Sequence, residues 1–144
     1  MPDRVFKPLK LLAQDAGDLQ VVSAALQDAV GKIGDIRFEQ KARRLTLSFN
    51  RYCWECGGGR RVRAAVQFGS VERVEARRLR SDAPDAVVEL LSIGFEPAEE
   101  PPGGTAVLTF AGGGEMRVMV ECLDVLMADV SEPWPTRRRP RHED

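Results

Sequence analysis

"RRLTLSFNRYCWECGGGRRVRAAVQF", residues 43–68, holds two runs that alternate with a period of two. Leu45, Leu47 and Phe49 share one face, and Arg44, Thr46, Ser48 and Asn50 share the other. Val62, Ala64, Val66 and Phe68 repeat the apolar face after the break at Gly57–Gly59. This is the signature of half-buried strands. The glycines stand where a hairpin needs positive φ. The stretch makes the molecule a sheet protein.

Upstream the period changes. In "QDAGDLQVVSAALQDAVG", Leu19, Val22, Leu26, Ala29 and Val30 recur at helical spacing. Asp15 is a suitable N-cap, Asp18 suits the positive helix end, and Gly31 is a natural stop. The pattern predicts a helix over 16–30. Before it, "PLKLLA" reads as a short strand. After it, Ile36 and Phe38 alternate with charged residues, and "KARR" makes a turn.

Downstream, Gly69-Ser70 has the form of a two-residue hairpin loop joining 61–68 to "VERVEARRL". "VVELLSIGFEP" carries Leu91, Ile93 and Phe95 as an alternating set, and "AEEPPGG" is a loop. "TAVLTF", "AGGG" and "EMRVMVEC" predict a last hairpin. "CLDVLMADV" fits a helix face and a strand face equally well.

The expected fold class is therefore α+β: one N-terminal helix plus a mostly antiparallel, curved sheet of about six to eight strands, in a shape that resembles a pleckstrin-homology-like half-open barrel. Residues 8–130 are expected to form a single domain, and the Pro/Arg-rich segment 131–144 a flexible tail.

The chain has 144 residues, 21 Lys and Arg against 22 Asp and Glu, and a formal charge of −1. That balance supplies no global field to steer nucleic acid or a membrane. No apolar run approaches the roughly 20 residues of a spanning helix. A short apolar start and three cysteines suggest a cytoplasmic protein with reduced thiols.

"LKLLAQDAGDLQVVSAALQDAV", "RRLTLSFNRYCWE", "FAGGGEMRVMVECLDV" and "PWPTRRRPRHE" together resemble a bacterial, mostly alphaproteobacterial family known as domain of unknown function 2948. The resemblance runs over about residues 8–142. It implies a cytoplasmic bacterial protein and carries no activity, cofactor or residue role. Within "NRYCWE" the family-like positions are Asn50, Arg51, Tyr52, Trp54 and Glu55, without the two cysteines.

Catalysis is constrained by the scarcity of histidine. His142 is the single one, and it lies in the expected tail. That argues against Ser-His-Asp, Cys-His and most metal-dependent hydrolysis. No cofactor motif is present: neither glycine triplet, 57–59 or 112–114, is a phosphate-binding loop.

Cys53-x-x-Cys56 lacks the helix N-terminus that activates a redox pair, and the two other ligands a zinc site needs. Two reduced thiols at a strand end is the expectation. A reversible disulfide is the alternative.

Alternation places Asn50, Tyr52 and Trp54 on one face, and Arg51, Cys53 and Glu55 on the other. With Arg61 and Arg63 these aromatics form a candidate recognition patch. Arg61, Arg63, Arg73, Arg77 and Arg78 form a stripe only if the strands around Gly69-Ser70 pair.

The leading expectation is a non-enzymatic binding or adaptor domain with a protein partner, able to form a homodimer through a free strand edge. The alternative is a small-ligand carrier or enzyme with a pocket near Asn50, Trp54 and Glu55. A weaker alternative is an RNA-binding accessory using the arginine stripe. A nucleic-acid partner is not favoured and no membrane partner is expected.

Overall fold

The computed structural model describes residues 6–136. Among them one α-helix, α1 (Ala16–Ala25), follows the first strand, β1 (Lys10–Ala13). Ten further strands complete the fold: β2 (Val30–Lys32), β3 (Arg37–Glu39), β4 (Arg44–Tyr52), β5 (Arg60–Phe68), β6 (Val71–Arg77), β7 (Val87–Pro97), β8 (Gly104–Phe110), β9 (Glu115–Val120), β10 (Val125–Asp129) and β11 (Trp134–Pro135). The sheet order is β1-β10-β5-β4-β2-β7-β8-β9-β6, with β11 beside β5 and β3 beside β4. Every pairing is antiparallel. The sheet stays open, ending at β1 and β6.

The α+β expectation and its antiparallel sheet stand. The strand count exceeds six to eight because β2, β3 and β11 have only two or three residues. Pieces that short carry no readable alternation.

The register of β4 on β5 is the one their alternation implies. Leu45, Leu47 and Phe49 sit opposite Phe68, Val66 and Ala64, and all six are buried. They join Leu90, Leu108, Phe110 and Val118 of the other sheet half in one core. α1 packs on β1 and β7 and adds Leu19 and Val22 to that core.

Asp15 caps α1, its Oδ1 accepting from the Asp18 N–H at 2.7 Å. The helix stops at Ala25, five residues before the expected end. Sheet pairing wins there: the Asp28 N–H donates to the Leu90 carbonyl, and the Leu90 N–H to the Ala29 carbonyl, each at 2.8 Å. Gly31 is therefore not a helix stop. It lies in β2, where a Cβ would come within 2.6 Å of the Ser48 carbonyl oxygen.

The expected hairpin around Gly69-Ser70 does not form. Phe68 of β5 pairs with Leu45 on one side and Val125 on the other, so β5 has no edge to offer. β6 crosses into the other sheet half and pairs with β9. The corner is tied by the Gly69 N–H to Asp124 and the Val71 N–H to Arg43, both on carbonyls. The continuous arginine stripe, which depended on β5–β6 pairing, is not assembled.

Three smaller features lie in β7, β10 and β11. An irregularity between Leu90 and Ser92 shifts the parity of β7. Leu90 and Ile93 point inward, while Leu91, expected inward, is exposed. The ambiguous 122–130 run is a strand, β10, because β1 and β5 offer it an edge on each side. The start of the expected tail is docked: Trp134 and Pro135 pair with Arg61 and Arg60, and the Thr136 N–H donates to the Gly59 carbonyl. The remainder, 137–144, lies outside the described residues.

Candidate functional site

The last residues of β4 bring a charge into the core. Arg51 has the parity of Leu45, Leu47 and Phe49, so its side chain points inward and is 1% exposed. A buried guanidinium needs partners for its five N–H donors. Asp129, at the end of β10 and itself fully buried, supplies two: Nε donates to Oδ1 at 2.8 Å and Nη2 to Oδ2 at 2.7 Å. Glu55 supplies two more, with Nη1 donating to Oε1 at 2.9 Å and Nη2 to Oε2 at 3.1 Å. Asp129 Oδ2 also accepts the Leu9 N–H at 2.7 Å. The cluster thus ties β4, β10, the approach to β1 and the turn after β4.

Burial opposes the charged form of Arg51, but its hydrogen bonds to Asp129 and Glu55 outweigh it and hold the guanidinium above its ordinary pKa. For Glu55 partial burial pushes the carboxyl up, and the Arg51 hydrogen bond and charge overcome it, leaving the pKa lowered.

The turn after β4 is a single 3-10 turn, Trp54–Cys56. It folds back so that the Cα atoms of Cys53 and Cys56 lie 5.4 Å apart, and the two sulfurs are bonded. The expectation of two reduced thiols is thus corrected. Cys53 is fully buried and Cys56 half-buried. Cys53 Sγ lies 3.2 Å from Glu55 Oε1. Cys122, near Ser70 at the far end of β5, is the free cysteine. A nine-residue strand spans roughly 30 Å, so Cys122 cannot share a metal with the pair.

The glycines 57–59 all have positive φ, of 87°, 97° and 71°, as the turn reading requires. They wrap the phenol of Tyr52, whose oxygen accepts the Gly59 N–H at 2.7 Å. The Tyr52 ring is buried and meets Trp54 edge-on, with centroids 4.4 Å apart and planes at 61°. Trp54 itself is 43% exposed. The Arg61 guanidinium lies 5.9 Å from the Tyr52 centroid and donates to the Asn50 carbonyl at 2.9 Å. Burial lowers the Arg61 pKa.

On the outer face, Arg63 donates to Asn50 Oδ1 at 3.3 Å and to Asp35 Oδ2 at 3.1 Å. A cleft lined by Val30, Lys32, Asp35, Asn50, Arg63 and Val87 lies beside this pair.

The seven candidate residues therefore divide into three groups. Arg51 and Glu55 are in the buried ion cluster. Tyr52, Trp54 and Arg61 form the aromatic end of the hairpin. Asn50 and Arg63 face the outer cleft, which neither Trp54 nor Glu55 lines. The structure adds Asp129 and Asp35, which were not among the candidates. Asp129 had a readable signal. It shares the parity of Val125 and Met127, just as Arg51 shares that of Leu47 and Phe49. Two opposite charges at core parity are natural partners, because neither can be buried alone. Asp35 carried no such signal.

A family model described as "Protein of unknown function (DUF2948)" matches residues 9–142. No curated protein and no solved structure matches the chain. Among the described residues, no helix is long and apolar enough to cross a membrane.

Proposed function

Since the chain belongs to the DUF2948 family, whose description assigns no activity, we propose that it is a non-enzymatic binding or adaptor domain whose contact surface is the Trp54 turn. The observation that carries this is the holding of a half-exposed tryptophan. Trp54 rests on the buried Tyr52 ring, inside a turn closed by the Cys53–Cys56 bond and pinned through Glu55 to Arg51. Tryptophan and arginine are frequent anchors of protein interfaces. An anchor already fixed in position loses little freedom on binding. Arg60 and Arg61 flank the turn across the hairpin, so the fitting partner is a protein with an apolar pocket and an acidic rim.

The alternative of an enzyme or small-ligand carrier calls for a buried carboxylate inside a cleft. Two buried carboxylates bear on this, Asp28 and the side chain of Asp129; Asp129 has both oxygens engaged by Arg51, and neither lines the cleft beside Asn50. The binding reading is favoured for that reason. It is tested with the wild-type chain and Trp54→Ala as parallel baits in lysate of the source bacterium. Proteins retained by wild type should fall about tenfold on Trp54→Ala, in line with a loss of about 1.4 kcal/mol or more. Equal retention by two equally folded baits would remove the reading.

Homodimerisation has one specific observation in its favour. Among the described residues β6 pairs only with β9, and its other edge takes no strand in the sheet order. In an antiparallel pair of two copies centred on Val74, Arg73 of one copy would face Glu75 of the other, twice. Opposite charges directly across a pair are favourable. Val74→Pro, which removes an edge N–H, should turn a dimer into a monomer in light scattering; a wild-type monomer at high concentration would end the idea.

A further inference from the structure

We infer that Cys53–Cys56 is a thiol–disulfide exchange site, in which Cys56 is the sulfur that meets an incoming small aliphatic thiol and Cys53 is the sulfur that leaves. The asymmetry of the pair carries this. Cys53, directly after β4, is fully buried, and Cys56 is partly exposed on the turn beside the glycines 57–59. A thiolate must approach a sulfur directly to exchange with it, and only Cys56 offers such an approach.

The surroundings of Cys53 slow its departure as a thiolate and hold the released sulfur as a neutral thiol. Glu55 Oε1 lies 3.2 Å from its sulfur, and Arg51 holds Glu55 ionised. A carboxylate at that distance accepts an S–H and repels a thiolate. The Arg51 bonds to Glu55 and Asp129 do not depend on the S–S bond, so the carboxylate keeps its place when the bond opens.

The step balances as follows. The thiolate of the small thiol attacks Cys56 Sγ. A new S–S bond forms between them, and the Cys53–Cys56 bond breaks. Cys53 Sγ takes the electron pair and a proton relayed from solvent by the half-exposed Glu55 carboxylate, replacing the one released when the attacking thiol ionised. A second thiolate then attacks the bound small-molecule sulfur, releasing Cys56 and the oxidised small disulfide. The protein disulfide gains two electrons, and two small thiols lose them.

The inference does not rest on the binding reading, since exchange can occur whatever Trp54 contacts. Its test uses the full chain carrying Cys122→Ser, so that only the pair reports. The disulfide form is exposed to glutathione, quenched with an alkylating agent and mapped by peptide mass. Adduct on Cys56 should exceed that on Cys53 by about tenfold, reflecting access to the attacked sulfur.

Cys53→Ser, treated with oxidised glutathione, should trap the adduct on Cys56, and Cys56→Ser should form little on Cys53. Circular dichroism of both variants should match the wild type, which checks that they are folded. Equal adduct on both sulfurs, or a disulfide untouched by millimolar thiol, would overturn the assignment.

Discussion

Arg51 and Arg73 are both arginines on strands with carboxylate partners, and they differ in what surrounds them. Arg51 is sealed in the core with Asp129, at 1% and 0% exposure. Arg73 meets Glu75 at 2.6 Å on the surface of β6, with side chains 67% and 37% exposed. The closeness of the contact does not tell them apart. Water does. It solvates either member of the surface pair when the other is lost, and it cannot reach the buried one.

Removing one partner of the buried pair should therefore have the largest effect. Asp129→Ala takes away two acceptors from Arg51 and the acceptor of the Leu9 N–H. Glu55 keeps its two bonds to Arg51, so we expect a loss of about 3 kcal/mol, the lower end of the cost of breaking a buried pair, measured by urea unfolding. A loss below about 1 kcal/mol would mean that Arg51 finds water or another partner.

Removing both members sharpens the comparison. Arg51→Met with Asp129→Leu replaces the pair by apolar groups and should recover most of that loss, since a buried pair is worth little against well-packed hydrophobes. Glu55 then turns to solvent, its side chain being already 49% exposed. A double variant no more stable than Asp129→Ala would show that the pair is needed for more than neutralising itself.

Glu55 stands between the two regimes, and pH should expose it. Its folded pKa is lowered. Its ionised form therefore contributes stability above the ordinary glutamate pKa of about 4.3, and that contribution is lost as pH falls through the lower folded value. Wild type should lose stability over that window more steeply than Glu55→Gln in parallel acid titrations of unfolding. Identical slopes would mean that Arg51 gains nothing from the charge on Glu55.

The smallest effect is expected for Arg73→Ala. Screening and side-chain entropy leave such exposed pairs with about 0–1 kcal/mol, and the 67% exposure of Arg73 places it at the low end. A large loss would mean that the β6 edge is covered in solution, which would favour the dimer.

The same contrast explains how much could be read beforehand. β4 and β5 were legible because each strand records its own buried face in alternate residues, and the helix start because Asp15 caps it locally. Arg51 and Glu55 were chosen as candidates, but their buried partner was not, although Asp129 breaks the apolar parity of β10 in the same way. The helix end was misjudged because Ala29 keeps helical spacing while its carbonyl is taken by Leu90. Asp35, 28 residues from Arg63 in the chain, left no trace in either pattern.

From sequence alone came the antiparallel α+β class, the inward faces of β4 and β5, the loop at 98–103 and the β8–β9 hairpin. These depend on local periodicity and turn chemistry, which a single segment carries in full. Tertiary structure alone decided that β6 leaves β5 for β9, that Arg51 finds Asp129 across 78 residues, and that the Cys53–Cys56 turn closes on itself beside Glu55. Each is a choice among distant partners. A strand edge already filled, or a charge with no water to receive it, settles that choice only after the chain has packed.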